Sequence, residues 1–243
     1  MRVQNDTILS TAVDVTGDIE RQGFSLIPGA DLLVPPAARD SLQQLADSFH
    51  DLPLDPYMPD GSRYRYRRYT CYTYERDSGS LTVTENGGYF QTVENNPFAG
   101  GAPRKYEEVD ESLRYSPFLA GLIAFGVDQL PPKDVNRWLV QLHTVRIVAR
   151  EGELGRPTPE GVHRDGYTFI SLHMVTRHNV TGGGTQVCDE TGAPITSKVF
   201  TDRLDSLYGE DARIRHGVEP VALADPRAGN GYRDMLLMSY DPQ

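Results

Sequence analysis

From residue 136 onward the chain is a succession of short strand-like runs broken by turns, and this limits its fold more than any other feature. Residues 138–148 read Trp-Leu-Val-Gln-Leu-His-Thr-Val-Arg-Ile-Val. An extended chain alternates its side chains, so Gln141, His143 and Val145 share one face, and Leu142, Thr144 and Arg146 share the other. Further strands are expected over 168–176, 185–188, 214–223 and 232–240. Turns are expected at Gly182-Gly183-Gly184 and at Glu190-Thr191-Gly192, and residues 197–211 read as irregular or partly helical. A mostly β chain of this pattern fits a double-sheet jelly roll, with flanking helices supplied by the residues before it.

Those earlier residues form a helical preface over 1–60, expected to pack on the sheet. A helix over 14–22 stops at Gly23, a brief strand spans 24–27, and Pro35-Pro36 opens a helix carrying Leu42, Leu45, Ala46 and Phe49 at helical spacing. A buried helix over 116–129 is ended by Pro131-Pro132. Residues 81–85 and 89–93 resemble a hairpin around Asn86-Gly87-Gly88, and the Pro/Gly-rich residues 95–104 suit a lid. Residues 63–74, rich in Tyr and Thr, favour a strand with Arg63, Arg65 and Arg67 on one face and Tyr64, Tyr66 and Arg68 on the other. Its arginines either snorkel into solvent or turn inward to meet a substrate carboxylate, with Arg67 and Tyr66 as the candidates. The 243 residues read as one domain, with 136–243 as its metal-bearing core.

A formal net charge of -10 argues against a general nucleic-acid binder and favours a small-molecule partner. Cys71 and Cys188 stand far apart, which suits a reducing cytoplasm. The first residues are too polar for a secretory leader, and no run approaches the roughly 20 apolar residues of a membrane span.

The chemistry gathers between Val162 and Tyr240. In His163-x-Asp165 both side chains fall on one side of an extended chain and can reach one cation. His216 lies in an apolar strand suited to bring a third ligand. Two imidazoles and a carboxylate are what a mononuclear non-haem iron takes on one face, leaving open positions for substrate and oxygen. Arg233, set before Met235-Leu236-Leu237-Met238, would be buried and would pair with the carboxylate of an acidic co-substrate. Arg146 and His143 are expected to line the pocket. Rival readings lack partners. His163-Arg164-Asp165 copies a kinase triplet, but Ile170 stands where the required Asn belongs. No Lys-Ser/Thr follows the triple glycine, which reads as a tight turn. A zinc hydrolase would want a general-base motif that is missing, and a jelly-roll binding module without turnover has no need of all four polar positions.

The ordered set His163-x-Asp165, His216 and Arg233 resembles the iron(II)/2-oxoglutarate dioxygenases. Gln141-Leu142-His143-Thr144-Val145-Arg146, Val162-His163-Arg164-Asp165-Gly166, Gly182-Gly183-Gly184-Thr185 and Arg215-His216-Gly217-Val218 resemble, more narrowly, the bacterial branch that includes isoleucine hydroxylase. The resemblance implies a double-stranded β-helix core and the use of Fe(II), 2-oxoglutarate and O2. It also implies hydroxylation of an unactivated C–H bond of a small, amino-acid-like substrate, with succinate and CO2 as co-products. A carrier-bound or peptide substrate, or desaturation and cyclisation, is the alternative within the class. Related halogenases replace the carboxylate with a small residue, so Asp165 implies hydroxylation. Met235 stands two positions after Arg233, where the family often has Ser or Thr, so a second contact to 2-oxoglutarate has to come from elsewhere.

Overall fold

A computed structural model describes every residue except Asn86 and Lys133. The first half contains α1 (Val15–Gln22), β1 (Phe24–Ile27), α2 (Pro36–Ser48), β2 (Arg65–Glu75), β3 (Ser80–Thr84), α3 (Glu111–Arg114) and α4 (Pro117–Gln129). The second contains β4 (Arg137–Ala149), β5 (Phe169–His178), β6 (Val180–Gly182), β7 (Gly184–Cys188) and β8 (Pro194–Val199). It closes with β9 (Ser206–Glu210), β10 (Arg215–Val218), β11 (Val221–Leu223) and β12 (Gly231–Pro242).

Seven strands form a large sheet in the order β1-β9-β5-β12-β4-β2-β3, faced by a three-stranded sheet β10-β7-β8 and a two-stranded sheet β11-β6. Every pairing between these strands is antiparallel, and with the smaller sheets they form the jelly-roll core. Residue parity divides the large sheet. Trp138, Val140 and Leu142 of β4, with Leu236, Met238 and Tyr240 of β12, join Ile19, Leu45, Phe118 and Ile123 of the helices in one apolar cluster. The opposite parity, carrying His143, Val145, Arg233, Met235 and Leu237, lines a cavity instead. The sheet therefore has a structural face under the helices and a chemical face under the small sheets.

The helix boundaries follow their caps. The Asp14 carboxylate accepts the Gly17 N–H at the start of α1, and Gly23, at φ 85°, closes it in a left-handed conformation open to glycine at no cost. Ser116 caps α4, whose ten consecutive residues Phe118 to Val127 are all buried. At Gly182 and Gly183 the chain takes φ of 73° and 72°, and a Cβ on Gly182 would stand 2.4 Å from the Pro220 carbonyl oxygen. The triple glycine is thus a turn between the two small sheets, which brings Thr185 beside Arg233 of the large sheet.

Two expectations fail. β3 pairs with β2, and Tyr89 bridges Arg104, so residues 81–85 and 89–93 form no hairpin with each other; Asn86 of the supposed turn lies outside the described residues. Residues 197–211 are not irregular or helical throughout. Ser206–Glu210 is a strand between β1 and β5, burying Leu207 and Tyr208 on opposite faces, so it lacks the polar alternation that marks a half-exposed strand. Among the described residues no helix is long and apolar enough to cross a membrane.

Candidate active site

His163 and His216 meet through an antiparallel bridge, each N–H donating to the other's carbonyl at 2.9 Å. This pairing holds the loop before β5 against β10 and sets the ring centroids 4.6 Å apart. Asp165, two residues on, places Oδ1 3.3 Å from His163 Nε2 and Oδ2 3.6 Å from His216 Nε2. The three donor atoms all lie within 4.8 Å of one another. Ligands bonded at roughly 2.1 Å and at right angles stand about 3 Å apart, so a small contraction would close this set on one ion.

The surroundings orient His163 and Asp165. His163 Nδ1–H donates to the Gly161 carbonyl at 2.9 Å, leaving Nε2 to face the cluster. Gln91 Nε2 donates to Asp165 Oδ1 at 3.0 Å. Asp211 accepts the backbone N–H groups of Asp165, Gly166 and Tyr167 at 3.1, 2.7 and 3.3 Å, fixing the turn that presents Asp165. Burial and then the charge of Asp165 push Asp211 up to about 6. Burial works against the charged form of His163, but its hydrogen bond to Asp165 and that carboxylate's charge outweigh it, raising the imidazole to about 9. Burial also opposes the Asp165 carboxylate, yet His163 and His216 hold it well below the usual range. Burial and the neighbouring His163 push His216 down to about 4.

At neutral pH the metal-free cluster therefore holds one proton, on His163, and a metal must displace it. Binding is expected to release close to one proton at pH 7. Affinity for Fe(II), or for a redox-inert substitute, should rise with pH up to about 9 and level off above it, where His163 is already neutral. Calorimetric titration in buffers of different ionisation enthalpy measures the release directly; none at pH 7 would contradict the assignment.

Arg233 is 2% exposed and lines the same cavity. Its Nη2 lies 3.4 Å from Thr185 Oγ1, its Nε has no hydrogen-bond partner, and no carboxylate among the described residues pairs with it. Burial, followed by the charge of Arg177, pushes its pKa down to about 9. A buried cation left in this condition awaits an anion. The hydroxyl of Thr185 stands beside this guanidinium.

A second cationic group lies on β2 and β4. Arg67 Nη2 donates to His143 Nδ1 at 2.6 Å, with its guanidinium 4.4 Å from the Tyr106 ring centre. A guanidinium can only donate, so His143 Nδ1 is the acceptor and its proton sits on Nε2, a buried donor with no partner. Burial, then Arg67, Arg104 and Arg65, drive the His143 pKa well below its ordinary value, so the ring stays neutral. Arg65 donates to Asp55 at 2.7 Å, and Arg104 donates to Gln91 Oε1 at 2.8 Å. All three arginines line the cavity, and among the described residues Asp55 is the one carboxylate that forms an ion pair with any of them.

Two expected pocket residues lie elsewhere. Arg146 is on the helix-facing parity of β4, bidentate to Asp234 at 2.7 and 2.8 Å, beside His50 Nδ1 at 3.2 Å and 4.0 Å over the Tyr232 ring. It does pair with an anion, but the anion is its cross-strand neighbour in the fold. Tyr66 shares that outer face, its hydroxyl accepting from Arg150 at 3.2 Å. The alternation that sends Arg65 and Arg67 inward sends Tyr66 outward. Sequence reasoning missed Gln91, Arg104, Glu160, Thr185 and Asp211. Arg65 was legible by its parity with Arg67; the others sit on loops or a short strand with no period to reveal them.

Fold and site together define a jelly-roll protein built around one metal position, with two histidines and a carboxylate on one side of an open cavity. Residues 46–239 match the 2OG-Fe dioxygenase family, and the chain belongs to it: it is an iron dioxygenase that uses 2-oxoglutarate and O2. It is 25% identical to the 3(1)-hydroxy-L-isoleucine 4-dioxygenase of Pantoea ananatis over 91% of this chain and 93% of that one. It is 23% identical to the L-isoleucine-4-hydroxylase of Bacillus thuringiensis over 92% of each. The crystal structure of a bsmA homologue from Methylobium petroleophilum superposes with a TM-score of 0.83 and 29% identity, covering 94% of this chain and 92% of that one.

Proposed function

We propose that this enzyme hydroxylates an unactivated C–H bond of a free aliphatic α-amino acid, with succinate and CO2 as co-products. In this reading His163, Asp165 and His216 hold the iron, and Arg233 with Thr185 grips the far carboxylate of 2-oxoglutarate. Bound iron, with 2-oxoglutarate and O2, supplies the oxidising power that replaces C–H by C–O. The protein's own task is to bind, orient and keep water out.

The observation that carries the substrate class is the cationic group formed by Arg65, Arg67, Arg104 and the Nε2–H of His143. It holds more positive charge than Asp55 neutralises, and it shares a cavity with the metal ligands. A substrate carboxylate satisfies those donors. Val145, Ile147, Leu172 and Leu237 supply apolar walls for an aliphatic side chain, and such walls also exclude water from the reacting carbon. The two relatives named for isoleucine or its hydroxylated form support the same reading.

The test is a screen of free amino acids for stimulated succinate release in the presence of Fe(II), 2-oxoglutarate and O2, with isoleucine and its aliphatic neighbours first. At least one aliphatic amino acid is expected to raise succinate formation about tenfold or more and to gain one oxygen atom by mass. Release that no free amino acid stimulates would remove this substrate class.

A further inference from the structure

Glu160 is an unexplained carboxylate in the same cavity. Its side chain is 9% exposed, and its Oε1 lies 3.6 Å from His163 Nε2. Its Oε2 is buried with no hydrogen-bond partner. Among the described residues the one basic group within 4.0 Å of the carboxylate is His163, itself a member of the three-residue cluster. None of the cavity's arginines reaches it: Arg65 and Arg67 pair with Asp55, while Arg104 binds Gln91. Oε2 is therefore a buried acceptor in the cavity lining that no donor of the protein satisfies, which is costly unless an incoming group donates to it.

We infer that Glu160 receives the ammonium group of the substrate. This rests on the proposed amino-acid substrate and deepens it: the cavity reads a zwitterion, with cationic residues for the carboxylate and one carboxylate for the amine. Glu160 sits beside a metal ligand. An amine held there lies close to the metal position, and so does the aliphatic chain that branches from the same carbon. The assignment makes Glu160 a specificity residue, selecting free amino acids over simple carboxylic acids and over substrates whose amine is acylated.

Two ligands test it: L-isoleucine, or whichever amino acid the screen returns, and the carboxylic acid identical to it except for the missing amine. Binding is measured by anaerobic calorimetry on enzyme loaded with Fe(II) and 2-oxoglutarate. Wild type is expected to prefer the amino acid by about 30-fold or more, the scale of a buried charge pair. In Glu160→Gln that preference should collapse to a few-fold, through weaker binding of the amino acid, while the des-amino acid binds as well as before or better. The wild-type comparison stands without any variant. A wild type that binds both ligands alike overturns the inference, as does a Glu160→Gln enzyme that keeps the full preference. A Glu160→Gln enzyme whose iron affinity falls while the preference persists also overturns it, making Glu160 a support of the metal. If no amino acid binds wild type, the substrate class itself fails, and that result is distinct from the others.

Discussion

Replacing Asp165 with alanine is expected to remove both iron binding and 2-oxoglutarate turnover while leaving the fold intact. Asp165 supplies the one carboxylate of the three-residue set, and both of its oxygens face imidazole nitrogens, at 3.3 and 3.6 Å. Loss of a hydrogen-bond partner of a metal ligand typically lowers metal affinity by roughly 10–100-fold, and loss of a ligand itself should exceed that. The metal-free protein loses the pairing of Asp165 with His163, which contributes stability at pH 7, but it also sheds a repulsion. Asp165 is partly buried beside Asp211, whose own carboxyl is raised to about 6 by burial and then by the charge of Asp165. Removing that charge relieves one repulsion, and the three backbone N–H groups that hold the turn still bond to Asp211. The variant should therefore melt within a few degrees of wild type without metal, retain no iron after desalting, and form no succinate above background. His163 should lose its proton at a lower pH than in wild type, because burial still disfavours its charged form and the partner that outweighed burial is gone. Iron content, melting curves and a succinate assay decide the matter together. A variant that retains iron at wild-type affinity would show that Asp165 is not a ligand.

The metal set was legible in the sequence because it obeys two periodic rules. His163 and Asp165 are two apart in an extended segment, and His216 stands in a strand whose apolar neighbours announce burial. The same alternation gives β2 and β4 their inward faces, so Arg67 and His143 were readable on the cavity side. Arg146 shows where the rule was misapplied. The alternation already placed it opposite His143, but its need for an anion drew it toward the substrate, although Asp234 follows Arg233 directly in the sequence. Which carboxylate lies across from Arg146 is fixed by the pairing of β4 with β12, a register that no local pattern announces.

The remaining cavity residues depend on contacts between segments far apart in the chain. Gln91 reaches Asp165 across 74 residues and in the same act accepts from Arg104 and Asn96, tying the loop of residues 91–104 to the metal set. Residues 95–104 were read as a lid from their Pro and Gly content, and two of them, Asn96 and Arg104, donate to the Gln91 side chain that holds Asp165. Ser206–Glu210 was lost because a strand buried on both faces has no alternation to detect. Glycine chemistry was more informative. The triple glycine could be read as a turn, and the turn delivers Thr185 beside Arg233.

Replacing Arg233 with methionine is expected to raise the KM for 2-oxoglutarate by about 10²–10³-fold, the range that follows from removing one partner of a desolvated charge pair. The variant keeps a long apolar stem, so packing in β12 is largely preserved, and a guanidinium with no carboxylate partner among the described residues leaves the interior. For that reason the metal-free and ligand-free variant should be no less stable than wild type. The contrast appears on adding co-substrate. At 100 times its Kd, 2-oxoglutarate should stabilise loaded wild type by about 2.7 kcal/mol, and the same concentration should do far less for the variant. Arg233→Lys should recover part of the affinity, because a point charge restores attraction without the two-pronged geometry. A purely structural arginine would behave in the opposite way: its loss would lower the melting temperature and leave the shift on adding 2-oxoglutarate unchanged. Arg177 sharpens the expectation, since its charge is one reason the Arg233 pKa is depressed to about 9. An incoming dicarboxylate relieves that repulsion as well as the burial cost, so Arg177→Ala should weaken 2-oxoglutarate binding much less than the loss of Arg233. If Arg233→Met binds 2-oxoglutarate as wild type does, the far carboxylate is held elsewhere and the buried cation needs another explanation.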